Sequence, residues 1–375
     1  MGKGGYAESK VIDRKRVPAT PPDKFSVGVL RKAIPAHCFE RSTVTSFLYL
    51  GTDLAIIAAL YYATTWFSHP AIPGWLAWGL LWPAYWFCQG AVSTGVWVIS
   101  HECGHQSFSP SQAVNDGVGF VFHTLLLVPY YSWKHSHRRH HSNTGNVAKD
   151  EVFVPKHREE EDYDFNWTQM APVRLAQLLV TLTLGWPLYL ICNVSGRPYD
   201  TFANHFHPYS PIYSKRERME IVASDIGIAA MMVGLGVLGH NFGWLWLVRS
   251  YVIPYLIVNF WLVMITLLQH THPDLPHYHT TEWDWLRGAL ATCDRSYGFL
   301  DVVFHHITDT HVTHHLFSQM PHYHAQEATE ALKPILGPYY KRDNRNVFRA
   351  LWADWNACGY VAPDVKGEGV LWYRK

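Results

Sequence analysis

Long apolar stretches alternate with polar blocks along this chain of 375 residues. No charged residue occurs between Asp53 and Glu102, an interval that accommodates most of two membrane helices of about 20 residues each. A second pair of apolar stretches follows in the second half of the chain, separated by a short uncharged turn. The pattern therefore predicts an all-α integral membrane protein with four transmembrane helices in two hairpins, at residues 44–67, 75–100, 226–248 and 250–272.

Two further apolar stretches, at residues 118–133 and 175–194, are predicted to be interfacial or re-entrant. Lys and Arg gather before the first span, at 134–156, at 215–218 and after the last span, and such residues favour the cytosolic side. Four crossings leave all these blocks on one side. We therefore predict a cytosolic N-terminal segment at 1–43, a single membrane domain at 44–375, and cytosolic termini.

Composition agrees with a membrane protein and excludes several classes of function. Only 16% of positions are charged, against roughly 25% in an average soluble domain, and 15% are aromatic. The formal net charge is +1, so no basic field is present to bind nucleic acid. The six cysteines include no CxxC pair, which argues against a thiolate zinc site or a disulfide framework. The 24 histidines are the unusual feature.

Three histidine motifs follow the predicted spans. An HExxH motif covers His101–His105, and two HxxHH motifs cover His137–His141 and His311–His315. Residues spaced by three or four share one side of a helix, so we expect each motif to present its imidazoles to a common centre. The eight candidate metal ligands are His101, His105, His137, His140, His141, His311, His314 and His315.

Eight imidazoles exceed the three or four protein ligands of one tetrahedral zinc and suit two metal ions with open positions. Nitrogen ligation beside a bilayer favours iron and dioxygen chemistry. The alternative is a membrane zinc hydrolase that uses the HExxH motif with Glu102 as its base, although this would leave both HxxHH motifs without a role. Glu102, Asp150 and Asp309 are predicted to orient ligand imidazoles.

Four segments resemble the membrane-bound fatty acid desaturases: His101–His105, Ser136–Gly145, Asp150–Pro155 and Asp309–Phe317. Within that family, the resemblance is closest to the microsomal oleate Δ12 (omega-6) desaturases of plants and green algae. It implies a cytosolic helical cap that carries a non-haem di-iron site. It also implies O2 as co-substrate, oleoyl chains on phosphatidylcholine as substrate, and the endoplasmic reticulum membrane as location.

The resemblance further implies electrons from a separate cytochrome b5, served by NADH-cytochrome b5 reductase. The family's ligand set is usually completed by a histidine at the end of the last span. His270 fits that place, and His272 is the alternative. The chain departs from most plant members at Gln106, at Thr313, and at the tail 371–375, which lacks their usual retrieval signal.

The expected reaction is oxygen-dependent desaturation of oleoyl to linoleoyl chains by a new Δ12 double bond. The same motifs serve sister activities of the family, so an omega-3 desaturase, a hydroxylase, an epoxygenase and an acetylenase remain as alternatives. No acid or base removes hydrogen from unactivated CH2 groups at neutral pH, so the reaction requires a metal cofactor.

Overall fold

Helices form most of the chain in the computed structural model, which describes residues 16–22, 25–157, 170–365 and 369–375. Much of the predicted N-terminal segment, at 1–15 and 23–24, lies outside these residues. The helices of the first half are α1 (Val27–Ala33), α2 (Thr43–Thr64), α3 (Gly74–Leu76), α4 (Trp82–Gly104), α5 (Gln112–Leu125), α6 (Tyr130–Asn143) and α7 (Ala171–Cys192). Those of the second half are α8 (Arg218–Phe242), α9 (Trp244–Leu247), α10 (Ile253–His270), α11 (Trp285–Ala289), α12 (Leu300–Val303), α13 (His311–Leu316), α14 (His322–Leu336) and α15 (Val347–Ala357).

Four of the described helices are long and apolar enough to cross a membrane: Thr43–Thr64, Ala171–Cys192, Arg218–Phe242 and Trp244–His270. The predicted fold class, a mainly helical membrane protein, is confirmed. Three of these helices overlap predicted spans. The fourth, Ala171–Cys192, covers the stretch that we predicted to be interfacial, so its length and composition alone would also permit a crossing.

The predicted span at 75–100 lies on a helix that is continuous from Gly74 to Gly104 through a wide π-type turn at Ala77–Leu81. This helix is not among the four, because tryptophan, tyrosine and small or hydroxyl residues lower its hydropathy. Its second half is buried, since α4 packs against α2, α5 and α10. A Cβ atom on Gly90 would lie 2.4 Å from Ile257, so this glycine allows α4 and α10 to approach closely.

Local signals in the sequence explain several helix ends. Ser42 caps α2 by accepting a hydrogen bond from the Thr45 amide. Gly243 turns the chain between α8 and α9 with a positive φ of 93°, which makes the second hairpin tight. The stretch predicted at 118–133 is divided between α5 and α6 by the non-helical Leu126–Pro129 segment, because Pro129 stands immediately before α6.

A small sheet, not predicted from the sequence, lies among the polar segments. Strand β1 (Pro276–Tyr278) pairs antiparallel with the C-terminal strand, which in turn pairs antiparallel with the strand before it. The C-terminal strand is β5 (Val370–Arg374), and the strand before it is β4 (Tyr360–Pro363). Two further short strands are β2 (Asp294–Arg295) and β3 (Arg342–Asp343). β2 and β3 form a parallel pair. The tail at 371–375 thus contributes its first four residues to a strand rather than extending freely.

The main hydrophobic core lies between α4, α7 and α10, where Trp97, Trp186 and Trp261 are buried. α4 and α10 both end in histidine-containing turns, and the imidazole rings of α6 and α13 contact the imidazoles at these ends. The bundle therefore brings the polar motifs to one end of the apolar core.

Candidate metal centre

Four helices bring all nine predicted metal ligands together. The last turn of α4 carries the histidines of the HExxH motif, α6 carries the first HxxHH motif, α10 ends at His270, and α13 begins at His311. Motifs separated by more than 170 residues along the chain thus meet in space, as the contact between the rings of His141 and His315 shows.

The nine imidazoles divide into two adjacent groups. The five-histidine group has donor nitrogens that all lie within 4.8 Å of one another and consists of His101, His105, His137, His141 and His314. The four-histidine group consists of His140, His270, His311 and His315. The donor nitrogens of His140, His270 and His315 also lie within 4.8 Å of one another. His311 joins them, because its Nε2 atom lies 3.0 Å from Nε2 of His270.

The two HxxHH motifs each contribute to both groups, which differs from the expectation of one common centre per motif. His137 and His141 face the five-histidine group, whereas His140 faces the other. The reason is helical geometry, because neighbouring residues on an α-helix point about 100° apart. The rings of His141 and His315 stack with centroids 4.1 Å apart, so the two groups adjoin directly.

Distances between nitrogens test whether the groups fit a metal ion. The Nε2 atom of His101 lies 2.9 Å from that of His137 and 3.3 Å from that of His105. The Nε2 atoms of His137 and His141 are 3.1 Å apart. Two ligands about 2.1 Å from one ion at roughly a right angle would be about 3 Å apart. The separations therefore fit nitrogen ligands of a shared ion.

The neutral, unprotonated state of these imidazoles also favours metal binding. Burial lowers the pKa of six of these imidazoles well below the usual value, and neighbouring imidazoles lower it further by like-charge repulsion. The six are His105, His137, His141, His311, His314 and His315. A neutral imidazole keeps one nitrogen lone pair for a metal. Among the described residues, no hydrogen-bond partner faces the buried Nε2 atoms of His140, His314 and His315.

Asp150 holds one of these rings in position. Its Oδ1 atom lies 2.6 Å from Nδ1 of His140, and its other oxygen accepts a hydrogen bond from the Gly145 amide. A carboxylate at Nδ1 favours the proton on that nitrogen and leaves the Nε2 lone pair free. Asp150 is therefore placed to orient His140, as its predicted role requires.

Glu102 lies behind the histidine rings. Its Oε1 atom is 3.4 Å from Nδ1 of His101 and 3.8 Å from Nδ1 of His314, and Oε2 accepts a hydrogen bond from Ser107. The carboxylate is thus on the opposite side of the rings from their Nε2 atoms. A general base must reach the proton that it removes, so this position disfavours the zinc-hydrolase alternative.

Two other predicted residues lie apart from the nine imidazoles. Asp309 contacts Nδ1 of His306 at 3.1 Å instead of a motif histidine, because it precedes the start of α13. His272 lies beyond the end of α10, where its Nε2 atom is 3.7 Å from Asp343. Neither residue has a motif imidazole as its partner in these contacts.

Two of the three departures from the family pattern, Gln106 and Thr313, have side chains that point away from the nitrogens. Gln106 adopts a left-handed φ of 62°, and its amide group donates to the Cys103 carbonyl oxygen and to Asp116. The hydroxyl group of Thr313 is hydrogen-bonded to that of Thr329 at 2.6 Å. Both side chains therefore act on the helices that carry the ligands and not on the ligands themselves.

Two residues near the centre were not predicted from the sequence. Asp294 accepts a hydrogen bond from the Val312 amide in the first turn of α13 and another from the Tyr340 hydroxyl. The hydroxyl oxygen of Thr144 lies 3.3 Å from Nδ1 of His315. Thr144 could have been found from the sequence, because it directly follows α6, the helix of the first HxxHH motif. Asp294 could not, because its distance in sequence from the motifs gives no sign of its contact with α13.

An apolar cavity of about 270 Å³ adjoins both groups. Its walls come mainly from α4, α7 and α10 and include Trp97, Trp186 and Leu262. Five of the nine histidines line it, namely His101, His137, His140, His270 and His311. The arrangement places candidate metal ligands beside a space that suits a hydrocarbon chain.

These features define a class: a helical membrane protein with a polyhistidine site beside an apolar cavity. A family model described as fatty acid desaturase matches residues 73–346. The chain is 55% identical over 376 residues to Delta(12)-acyl-lipid-desaturase of Punica granatum, covering 100% of this chain and 96% of that relative. It is 54% identical over 384 residues to Delta(12)-fatty-acid desaturase of Arabidopsis thaliana, covering 100% and 99% respectively.

A third relative is named omega-6 fatty acid desaturase, endoplasmic reticulum isozyme 1, of Glycine max. It is 54% identical over 378 residues, covering 100% of this chain and 97% of the relative. The chain belongs to the fatty acid desaturase family. Desaturases are oxidoreductases, so the resemblance seen in the motifs is confirmed for the family and for the class of enzyme.

Proposed function

We propose that this protein inserts a Δ12 double bond into oleoyl chains, on phosphatidylcholine, in an oxygen-dependent reaction that yields linoleoyl chains. The observation that carries the proposal is the pair of histidine groups, which adjoin each other and line one apolar cavity. The names of relatives that are 54–55% identical over the whole chain support the Δ12 position.

Each histidine group would hold one iron ion. The nitrogen separations and the neutral, buried imidazoles fit such ions, and imidazole is a common ligand of iron. When bound, two irons would supply with dioxygen the oxidising power needed to remove two hydrogens from adjacent CH2 groups. Overall, one O2, two electrons and two protons are consumed for each double bond, and two waters are released.

The protein's own residues supply binding and orientation. The walls formed by α4, α7 and α10 exclude water and would hold the acyl chain against the five histidines that line the cavity. Asp150 fixes the ring of His140, while Glu102 lies behind His101 and His314. These contacts would keep the ligand nitrogens aimed at fixed points, which oxidation at one defined pair of carbons requires.

The electron donor would be a separate cytochrome b5, reduced by NADH-cytochrome b5 reductase. We propose the endoplasmic reticulum membrane as location, which the name of the Glycine max relative supports. Both termini and the metal centre would face the cytosol.

A parity argument supports this topology. The motifs on α6 and α13 meet at one site, so the chain between them must cross the membrane an even number of times. Among the described residues of that interval, three helices are apolar enough to cross: α7, α8 and the helix Trp244–His270. α8 and Trp244–His270 are joined by Gly243 alone and would form the crossing hairpin. α7 would then lie at the interface or re-enter.

Expression in yeast, which supplies oleate and cytochrome b5, tests the reaction. Gas chromatography with mass spectrometry of the extracted lipids should show linoleate, and a His140→Ala variant expressed at the same level should show none. Ricinoleate as the main product would instead indicate a hydroxylase. α-Linolenate formed only from fed linoleate would indicate an omega-3 desaturase.

A further inference from the structure

A second cluster of metal-ligating side chains lies outside the nine-histidine centre. It comprises His37, Cys38, His324 and Glu327, whose ligand atoms all lie within 4.8 Å of one another. The set offers one sulfur, two imidazole nitrogens and a carboxylate oxygen. Sequence spacing does not reveal this cluster, because the pair His37 and Cys38 lies nearly 290 positions from the pair His324 and Glu327.

Two elements bring these side chains together. His37 and Cys38 belong to a short 3-10 turn at Ala36–Phe39, and His324 and Glu327 lie in the first turns of α14. The spacing of three residues places the latter two on one side of the helix. The rings of His37 and His324 meet edge to face, with centroids 5.4 Å apart.

The cluster is buried at Cys38 and exposed to solvent at His37 and Glu327. Cys38 is fully buried and packs within a hydrophobic cluster that includes Ala328 and Leu332 of α14. The side chains of His37 and Glu327 are 52% and 50% exposed. An ion could therefore arrive from water and meet a sulfur atom that the fold already holds in place.

The measured separations suit tetrahedral coordination. Nε2 of His37 lies 3.7 Å from Sγ of Cys38 and 2.9 Å from a carboxylate oxygen of Glu327. Tetrahedral ligands about 2.3 Å (sulfur) and about 2.0–2.1 Å (nitrogen or oxygen) from one zinc ion would be separated by about 3.3–3.6 Å. The two separations differ from these values by a few tenths of an ångström, and all four ligand atoms lie within 4.8 Å of one another.

We propose that His37, Cys38, His324 and Glu327 form a binding site for one zinc ion. A mixed sulfur, nitrogen and oxygen set suits this borderline-soft ion and does not suit magnesium or calcium. The bound ion would tie the segment before α2 to α14, which directly follows the α13 motif helix. The site is separate from the nine-histidine centre and does not depend on the proposed function.

Cobalt substitution tests the site without measuring desaturase activity. The purified full-length protein is treated with a chelator and titrated with Co²⁺ while the near-ultraviolet thiolate-to-cobalt charge-transfer band is recorded. The nine-histidine centre contains no sulfur ligand, so cobalt bound there does not produce this band. We expect the band to rise to a plateau as Co²⁺ is added and to disappear when Zn²⁺ is added, since zinc competes for the same ligand type.

Variants with matched controls identify the ligands. Cys38→Ser should abolish the band, whereas Cys192→Ser, which replaces an exposed cysteine, should retain it. Glu327→Gln should weaken cobalt binding by at least about tenfold, because even partners outside a ligand set cost this much. Glu330→Gln, on the same helix and more exposed, should leave binding unchanged.

Three results would overturn the proposal: no band in the unsubstituted protein, an equal band in Cys38→Ser, or no effect of Glu327→Gln. The first would mean that the cluster is only the hydrogen-bonded His37–Glu327 pair. Since Glu327 is exposed, its substitution is not expected to prevent folding, and an unchanged iron content of the variant provides the check.

Discussion

His270 and His272 are two residues apart, yet their side chains lie in different environments. His270 ends α10 and faces other imidazoles, with its Nε2 atom 3.0 Å from that of His311. His272 faces carboxylates and accepts a hydrogen bond at Nδ1 from the Asp274 amide. The difference arises at Thr271, where the backbone becomes extended and leaves the helix.

The surroundings of the two residues differ in how charge is balanced. Near His272, the buried guanidinium group of Arg295 pairs with Asp343 and Asp354, and Arg345 contacts the same two carboxylates. Near His270, buried imidazoles converge, and in the described part of the chain no Lys or Arg forms an ion pair with them. The charges around His272 are already neutralised by the ion pairs among them. The converging imidazole lone pairs around His270 form the kind of site that binds a metal ion.

The largest effect is expected from His270→Ala, compared with His272→Ala. His270→Ala removes a member of the four-histidine group, so we expect loss of linoleate in yeast and loss of iron from the purified protein. His272→Ala is the matched control and should retain both, at a cost of about 1–3 kcal/mol in the free energy of unfolding, because the buried Asp274 amide loses its acceptor. Equal tolerance of the two substitutions would remove the assignment of His270.

A smaller effect is expected when a ligand loses its orienting partner. Asp150→Asn replaces the carboxylate at His140, so product formation or iron affinity should fall roughly 10- to 100-fold. Asp309→Asn is the control, because that carboxylate contacts His306 and not a motif histidine. Iron content and linoleate are measured at matched protein levels, and equal losses in both variants would contradict the assigned role of Asp150.

The ion-pair network beside His272 should affect stability and not chemistry. Arg295→Ala removes the buried guanidinium group from Asp343 and Asp354 and leaves them the partly exposed Arg345, which should cost about 3 kcal/mol of folding free energy. Lys333→Ala breaks a surface pair with Glu330 and should cost about 0–1 kcal/mol. Thermal unfolding of the detergent-solubilised variants provides the comparison. Loss of iron from folded Arg295→Ala protein would show that the two environments are coupled.

The smallest effects are expected at Gln106 and Thr313, two of the three departures from the family pattern. Gln106→His and Thr313→Ala change side chains that face away from the ligand nitrogens, so linoleate should remain the product. Thr313→Ala also removes one buried hydrogen bond, at a cost of about 1 kcal/mol in stability. Fatty-acid analysis that revealed a new main product for either variant would show that these positions control the outcome of oxidation.

The sequence predicted the helical membrane fold because an uncharged run of nearly 50 residues between Asp53 and Glu102 has few alternatives. The histidine motifs were found by spacing alone. Their division into two groups was not, since it depends on how α6 and α13 are rotated against each other. The status of Ala171–Cys192 also depends on packing, because an apolar helix of that length can cross a membrane or cover a core.

Residues that act through long-range contacts escaped prediction. Asp294 reaches α13 only through the tertiary fold, and the cluster around Cys38 joins opposite ends of the chain. The small sheet was missed because its strands are short and come from separate segments. Asp309 was predicted to orient a ligand from its nearness in sequence to His311, but the turn before α13 directs it to His306.

The central claim is that two iron ions occupy the two histidine groups. Anomalous scattering recorded at the iron absorption edge from crystals of the active, iron-loaded protein tests it most directly. The account predicts two iron peaks, one within the five-histidine group and one within the four-histidine group. A single iron peak, or iron bound elsewhere while the protein still forms linoleate, would contradict it.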